Sequence, residues 1–584
     1  MGEAYDRLRD GLPRFAEDRT GRFDDRPRAV REWVERLPMA NTVAAARQVL
    51  EALARSNSRR LAPLSRMGVL DELRRPASVL ASACLHGLAR ASFPLPPEVA
   101  GLAGFAQSLH ERLALGYRIA LVELCAPHGR IPMFRTGAAA VAAVRTLQHG
   151  GASHGASSLA YRNPPEGFWL GLHQVYRFAA AAGIDAIAVG DPLARGETTA
   201  RAAYTAALLL DWLRPRSLTV AQLLEVIDHC GLLAAHCRLT DSMDEGMPVV
   251  RTDVDGGPMR RRAEGRDAGV GDFALDVSGL RKVLAQDRTG LRPDGTLSSG
   301  VVSGWKSPEL PRELLDRIDG GGRMTERGHV RLAGGYRLDA AVGLHDLHLV
   351  LAGGEYFDAF CEGRYGTVEH GRGAELAALR GVGAVDAVRT ASSRALVLDQ
   401  GLGGYRVAWI PEAGNLPVRV RVGEVVGLGA PDGGDAAGRV WLVGSIRWIE
   451  AGDDGRVEAG IELLSRRALP VAVRDPGRPA AAPQRGILLG PLRDIDRRDY
   501  VSLLVPGTFD RDAGMVEVAC PPDTRTFPGL PASTEEITGL GLLDEGSGYR
   551  VFALPRVGAM TVPGFPEGIT DIGDNDRVAA SGDR

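Results

Sequence analysis

The chain has 584 residues, 45% of them hydrophobic and 24% charged, with a formal net charge of −3. That length exceeds one typical domain several-fold and predicts two to four domains; the near-neutral balance excludes a long-range pull toward nucleic acid or an anionic membrane, though not a local patch. No apolar run is long enough to cross a bilayer and the opening MGEAYDRLRDGLPRF lacks the apolar core of a secretory signal, so a cytoplasmic protein without membrane insertion is expected.

Residues 1–240 read as a helical domain. Asn41 is placed to cap TVAAARQVLEALARS, where Val43, Ala46, Leu50 and Leu53 share one face at helical spacing. Amphipathic runs follow at 65–90, 97–124, 136–149, 165–182, 198–213 and 218–234, divided by breaks such as FPLPP, HGGASHG and RNPPEG. Short breaks make antiparallel neighbours, so an all-α bundle or irregular solenoid is expected, without the fixed period of a standard repeat. Residues 241–325 are polar, Gly-rich and aperiodic, and read as a linker with short helices in DVSGLRKVLAQ and PELPRELLDRI. From 326 to 470 the pattern becomes strand-like: HVRLAGGYRL, HDLHLVLAGG, RALVLDQ, GYRVAWI, VRVRVGEVVGL, VWLVGSIRWIEA and RVEAGIELLS, parted by Gly, Pro and Asp turns. Many short strands at such spacing predict a barrel. A small β-rich C-terminal domain is expected at 487–558, and 559–584 as a disordered tail. The fold class is therefore α+β multidomain.

Several motifs invite a chemical reading and fail on context. GASHG, from Gly151, has the nucleophile-elbow spacing around Ser153, but the elbow needs a strand before it and a helix after it. The preceding run is helical, so an inter-helix loop is the better reading. His229, Cys230, His236 and Cys237 lack the clean spacing of a tetrahedral zinc set. His345 and His348 would point to opposite faces of a strand. GDPLARGETTA lacks the Gly-Lys-Ser/Thr of a phosphate loop and reads as a helix start capped by Thr198 or Thr199. The six cysteines form no CxxC pair and read as small buried hydrophobes. Lysine occurs only at Lys282 and Lys306, and arginine, which supplies the other cations, grips anions but is a poor proton-transfer base. No enzyme, metal site or cofactor is expected.

One unit is written twice. LVLDQGLGGYRVAWIP, ending at Pro411, and LLDEGSGYRVFALP, beginning at Leu542, each place an acid and a glycine-rich turn between apolar runs, the pattern of a hairpin. The reversal predicts a positive φ at Gly403 or Gly404.

The neighbourhood of the first copy carries four signatures in order. Arg389 and Arg394 precede Asp399-Gln-Gly401-Leu-Gly-Gly404; then come Val422-Gly-Glu-Val-Val, Gly444-Ser-Ile-Arg-Trp448 and Ala459-Gly-Ile-Glu-Leu-Leu464. Over about 385–467 this resembles the PilZ domain, a bacterial family of small barrels that binds cyclic di-GMP. The resemblance implies a PilZ-like antiparallel β-barrel and a ligand site at Arg389, Arg394, Asp399, Gly401, Gly403, Gly404 and Arg406. It further implies a bacterial second-messenger effector that relays ligand state to a protein partner through the helical region, with no DNA partner. The pattern also departs from the family's. Gly401 replaces a serine, Arg389 and Arg394 are one residue too far apart for the family's Arg-x-x-x-Arg, and that spacing at Arg493 and Arg497 falls after the barrel. The alternative is a degenerate barrel that no longer binds nucleotide and serves as a protein-interaction scaffold.

Overall fold

A computed structural model describes residues 2–13, 15, 26–193, 196–244, 246–260, 271–290, 305–307, 309–320, 331–365, 391–411, 418–431, 440–475, 482–492, 501–510, 515–520 and 535–554. Helices dominate as far as residue 234: after two short N-terminal ones come Thr42–Ser58, Pro63–Leu85, Pro97–Leu124, Thr136–Leu159, Phe168–Ala181, Ala200–Trp212 and Val220–Ala234. Their starts follow from local chemistry. Asn41 accepts from the Ala44 amide at 3.1 Å and Thr199 from the Ala202 amide at 3.1 Å, while Pro63 and Pro97 open the first turns of their helices, where a missing N–H costs nothing. Leu53, Leu70, Leu73, Leu109, Leu113 and Tyr117 are buried in one apolar cluster. Each such side chain contributes about 1.5–3 kcal/mol on leaving water. Buried Arg66, near the start of Pro63–Leu85, donates to Glu123, near the end of Pro97–Leu124, at 2.9 and 3.0 Å, so these helices run antiparallel.

The GASHG stretch departs from expectation. No loop interrupts it, because the helix Thr136–Leu159 runs through it without a break. Glycines beside and within it let neighbours close in: a Cβ on Gly150 would stand 2.9 Å from Leu172 and one on Gly155 3.3 Å from Ile227. Packing that only a bare backbone permits offsets the poor helix propensity of glycine. The described part of 241–325 holds the helices Ser278–Gly290 and Leu310–Gly320 and the strands Pro248–Val250, Met259–Arg260 and Phe273–Asp276, which join Arg238–Thr240 in a four-stranded sheet.

Between residues 332 and 465 lies a seven-stranded sheet in the order Gly404–Trp409, Val457–Ser465, Trp441–Ala451, Val425–Gly429, Arg337–Val342, Ser393–Gly401 and Leu332–Ala333. An additional pairing of Gly404–Trp409 with Ser393–Gly401 closes it, which makes the β-barrel that the motif order implies. A second, seven-stranded sheet follows from 468, with Gln484–Leu489 at its centre and the hairpin Gly541–Gly546/Tyr549–Ala553 at one edge. HDLHLVLAGG, expected as a strand, is a helix, Leu344–Leu351. Leu347 and Val350, three apart, are buried, and Gly343 at φ 86° turns the chain into the helix. His348 lies inside with its ring against Phe360 and its Nε2 3.1 Å from the Val471 carbonyl. Eight apolar-rich residues satisfy either period, and the tertiary partners decide.

Two compact units divide the chain. The first comprises 1–336, 395–423 and 446–462; the second 337–394, 424–445 and 463–584.

Candidate ligand-binding hairpin

The first copy of the repeated unit is a hairpin with a two-residue loop. Gly401 pairs with Gly404, Gln400 with Tyr405 and Asp399 with Arg406; then Val407 pairs with Val397, so Leu398 is an extra residue in the first strand. This bulge lets Val397 stay buried while Asp399 faces Arg406 directly across the ladder. Leu402, Gly403 and Gly404 have no left-handed φ, contrary to expectation. Gly404 is required for a different reason: a Cβ there would stand 2.0 Å from the Ile461 carbonyl oxygen of the neighbouring strand. Gly403 faces open space.

Charged side chains converge on this hairpin. Asp399 accepts a hydrogen bond from Arg331 and lies 4.0 Å from the Arg406 guanidinium. Arg406 donates from Nε at 3.1 Å and Nη2 at 2.6 Å to Glu458, whose other oxygen pairs with Arg456 at 2.7 Å. The hydrogen bond to Glu458 is the main reason the Arg406 pKa is raised. Three guanidiniums thus share two carboxylates, all partly exposed. Ion pairs in such a setting are worth about 1 kcal/mol or less each, so an incoming anion can exchange for a carboxylate at little cost. Gly460 lies directly opposite Arg406, and the Trp448 indole fills the space its side chain would need, with Nε1 1.9 Å from an ideal Cβ. Directly opposed residues share a face, so Asp399, Arg406 and the half-buried indole stand on the same side of the sheet.

Of the residues the sequence nominates, Asp399, Gly401, Gly403, Gly404 and Arg406 come together here. Arg394 is exposed near the start of its strand. Arg389, Arg493 and Arg497 lie outside the described residues. The nomination missed Arg331, brought to Asp399 by the pairing of Leu332–Ala333 with Asp399 and Gln400, and Tyr336, whose hydroxyl bonds Gln400. A signal was available. Arg327-Gly-His-Val-Arg331 has the Arg-x-x-x-Arg spacing and precedes the barrel strands, as the family pattern requires, although Arg327 itself lies outside the described residues.

Within the first unit, this part of the sheet is bonded to the helical region. Phe93 and Val420 exchange two backbone hydrogen bonds of 2.9 Å, and the Ala451 amide donates to the Tyr161 carbonyl at 2.9 Å. Glu450 accepts from Asn163 at 2.7 Å and Arg216 at 2.5 Å, and Asp453 pairs with Arg162 at 3.1 Å.

The catalytic motifs stay excluded on geometry. Ser153 is buried inside a helix, far from the strand-to-helix turn that exposes a nucleophile. All six cysteines are buried and unbridged, and burial pushes the Cys230 and Cys237 thiols up to about 12. Among the described residues no cluster of His, Cys, Asp and Glu could hold a metal ion, and no helix is long and apolar enough to cross a membrane.

Comparison with known proteins returns a coherent set. Residues 28–244 match the family model described as the N-terminal domain of the cyclic-di-GMP receptor FimW, and residues 384–470 match the model of its middle PilZ domain. The cyclic-di-GMP receptor FimW of Pseudomonas aeruginosa is 24% identical over 498 residues, which cover 77% of this chain and 79% of that protein. No solved structure matches. The helical region and the barrel are therefore similar to two domains of one receptor in the same order, and the chain bears a distant but clear resemblance to the PilZ-domain cyclic-di-GMP receptors, a non-catalytic bacterial signalling family.

Proposed function

We propose that this protein is a cytoplasmic cyclic di-GMP effector whose ligand docks on the Asp399–Arg406 hairpin and whose helical region passes the bound state to a protein partner. The observation that carries this reading is the convergence of Arg331 and Arg406 on Asp399 beside the Gly401–Gly404 turn. A cyclic dinucleotide is a dianion with two guanine faces. Guanidinium pairs with its phosphates, forks onto guanine O6 and N7, or stacks on the base, and the glycine turn leaves room for a close approach. Glu458 then acts as a placeholder that holds Arg406 extended until a phosphate replaces it. The strand bearing Glu458 follows the turn that Arg162, Asn163 and Arg216 grip, so exchange at Arg406 has a bonded route to the helices.

Titration calorimetry tests the site. Saturable binding that weakens with salt and is lost in Arg331→Ala/Arg406→Ala is the expected result, with Gly401→Ser tightening it by restoring a hydroxyl at the turn. A specific observation favours a second reading, that of a scaffold with a silent barrel: both arginines already have carboxylate partners, and Gly401 offers no hydroxyl. No heat of binding at high micromolar cyclic di-GMP in a folded sample selects that reading.

A further inference from the structure

A cleft of about 830 Å³ opens in the helical region, walled by the helices Pro63–Leu85 and Val220–Ala234 and floored by Thr136–Leu159. The sequence makes the room. Ala152, Gly155 and Ala156 recur at three- and four-residue spacing on one face of the floor helix, so its surface there is nearly bare backbone. Leu85, Leu159, Leu224 and Ile227 complete an apolar lining. A concave site of this size takes a drug-sized molecule, and such sites pair an apolar lining with a few polar groups. Small residues alone explain only a groove; three polar groups at this one have no use in the fold.

His110, from the helix Pro97–Leu124, is the inner one. Its Nδ1 lies 3.1 Å from Nδ1 of buried His149, and burial lowers its pKa to about 4 and that of His149 well below the usual value, so one neutral ring donates to the other. The remaining nitrogen of His110, Nε2, has no protein partner and is not closed off from the cleft. At the mouth stand the exposed Lys306 and Asp228. Neither side chain makes an ion pair or a hydrogen bond among the described residues, with the other or with anything else. The lysine is nevertheless mounted on a fixed backbone. Buried Glu225 accepts from the amides of Lys306 at 2.5 Å and Ser307 at 3.1 Å, and the adjoining Trp305 is buried against His229. Glu225 and Asp228 are three apart on one helix, which makes the anchored lysine and the aspartate neighbours.

We infer that this cleft binds a small amphipathic zwitterion, an apolar body bearing an α-amino-acid head, with the carboxylate at Lys306, the ammonium at Asp228 and the body on Ala152 and Ala156 within reach of His110. A ligand of a single charge would pair with one group at the mouth and meet the other with like sign, whereas a head with both charges on one carbon satisfies a cation and an anion held side by side. The neutral imidazole gives or takes one hydrogen bond without placing a charge in the apolar interior. The body displaces water that alanine and leucine walls cannot bond, which favours apolar over polar bodies. The site uses no residue of the Asp399–Arg406 hairpin, so it stands apart from the cyclic di-GMP reading.

Fluorescence titration of the full chain with Nε-dansyl-lysine tests this. The dansyl group brightens on leaving water, and two analogues each lack one charge: dansylcadaverine has no carboxylate, and dansyl-ε-aminocaproic acid has no amine. Saturable brightening is expected, with dansyl-lysine bound about threefold tighter than either analogue, as one exposed ion pair predicts. Lys306→Gln should erase the advantage over dansylcadaverine and Asp228→Asn the advantage over the acid, both with an unchanged melting temperature because the two side chains are exposed. Ala152→Phe, whose ring fills the floor, should weaken all three dyes at least about tenfold. Equal binding of the three dyes to the parent overturns the zwitterionic head. An advantage that survives both charge changes overturns the roles of Lys306 and Asp228. Full binding by an Ala152→Phe protein that melts like the parent puts the dye elsewhere and overturns the cleft. No brightening at millimolar dye overturns the proposal outright.

Discussion

The two copies of the repeated hairpin solve one construction problem differently. Both have a two-residue loop, both insert one extra leucine before the acid, Leu398 ahead of Asp399 and Leu543 ahead of Asp544, and both continue into Tyr-Arg-Val. In the second, Gly548 reverses the chain with φ 86°, and Arg550 pairs with Glu545 of its own hairpin at 2.9 Å. In the first, no residue of the turn is left-handed, the needed glycine is the one beside a neighbouring strand, and Arg406 reaches outside the hairpin to Glu458. Identical letters thus mark a conformational need in one copy and a steric one in the other. The copy whose arginine reaches outward is also the one inside the PilZ match.

That contrast predicts a ladder of effects. Gly404→Val should be the most damaging, because its β-carbon meets a backbone carbonyl at 2.0 Å and backbone yields little; a loss of about 3 kcal/mol or more is expected in calorimetric unfolding. A Gly404→Val protein as stable as the parent would show that the strand Val457–Ser465 does not lie where the ladder puts it. Gly548→Ala should cost about 1–2 kcal/mol, since open space surrounds the site and only the left-handed backbone opposes a side chain. If it proves as harmful as Gly404→Val, the distinction between the two glycine roles collapses. Gly403→Ala should fall within about 0.5 kcal/mol of the parent, on the stabilising side, because an unstrained alanine mainly reduces the freedom of the unfolded chain. A clear destabilisation there would restore the left-handed turn that the sequence led us to expect.

What the sequence made legible follows range of interaction. Caps at Asn41 and Thr199 depend on residues three positions away and read correctly. The barrel motifs read correctly because each signature is a strand with its own turn, and their order carries the topology. HDLHLVLAGG misled because its helix is chosen by partners distant in the chain, among them the Val471 carbonyl on His348. HGGASHG misled because glycine weakens an isolated helix, whereas here it admits Leu172 and Ile227. Arg331 was missed although its spacing from Arg327 was visible, since 68 positions separate it from Asp399 and nothing local announces that a short strand will close the gap.

The indole of Trp448 over Gly460 has a consequence for how the ladder can be misassembled. A strand that slips by one residue turns every side chain to the opposite face, and flat, polar strands slip readily. Here a slip in either direction sets Ala459 or Ile461 beneath a ring that only a bare backbone accommodates, so the indole and the glycine act as a key and its notch. The alignment they enforce decides which acid lies within reach of Arg406. One aromatic residue outside the charged cluster therefore sets its composition, and Gly460→Ala would disturb the electrostatics of the hairpin without removing a single charge.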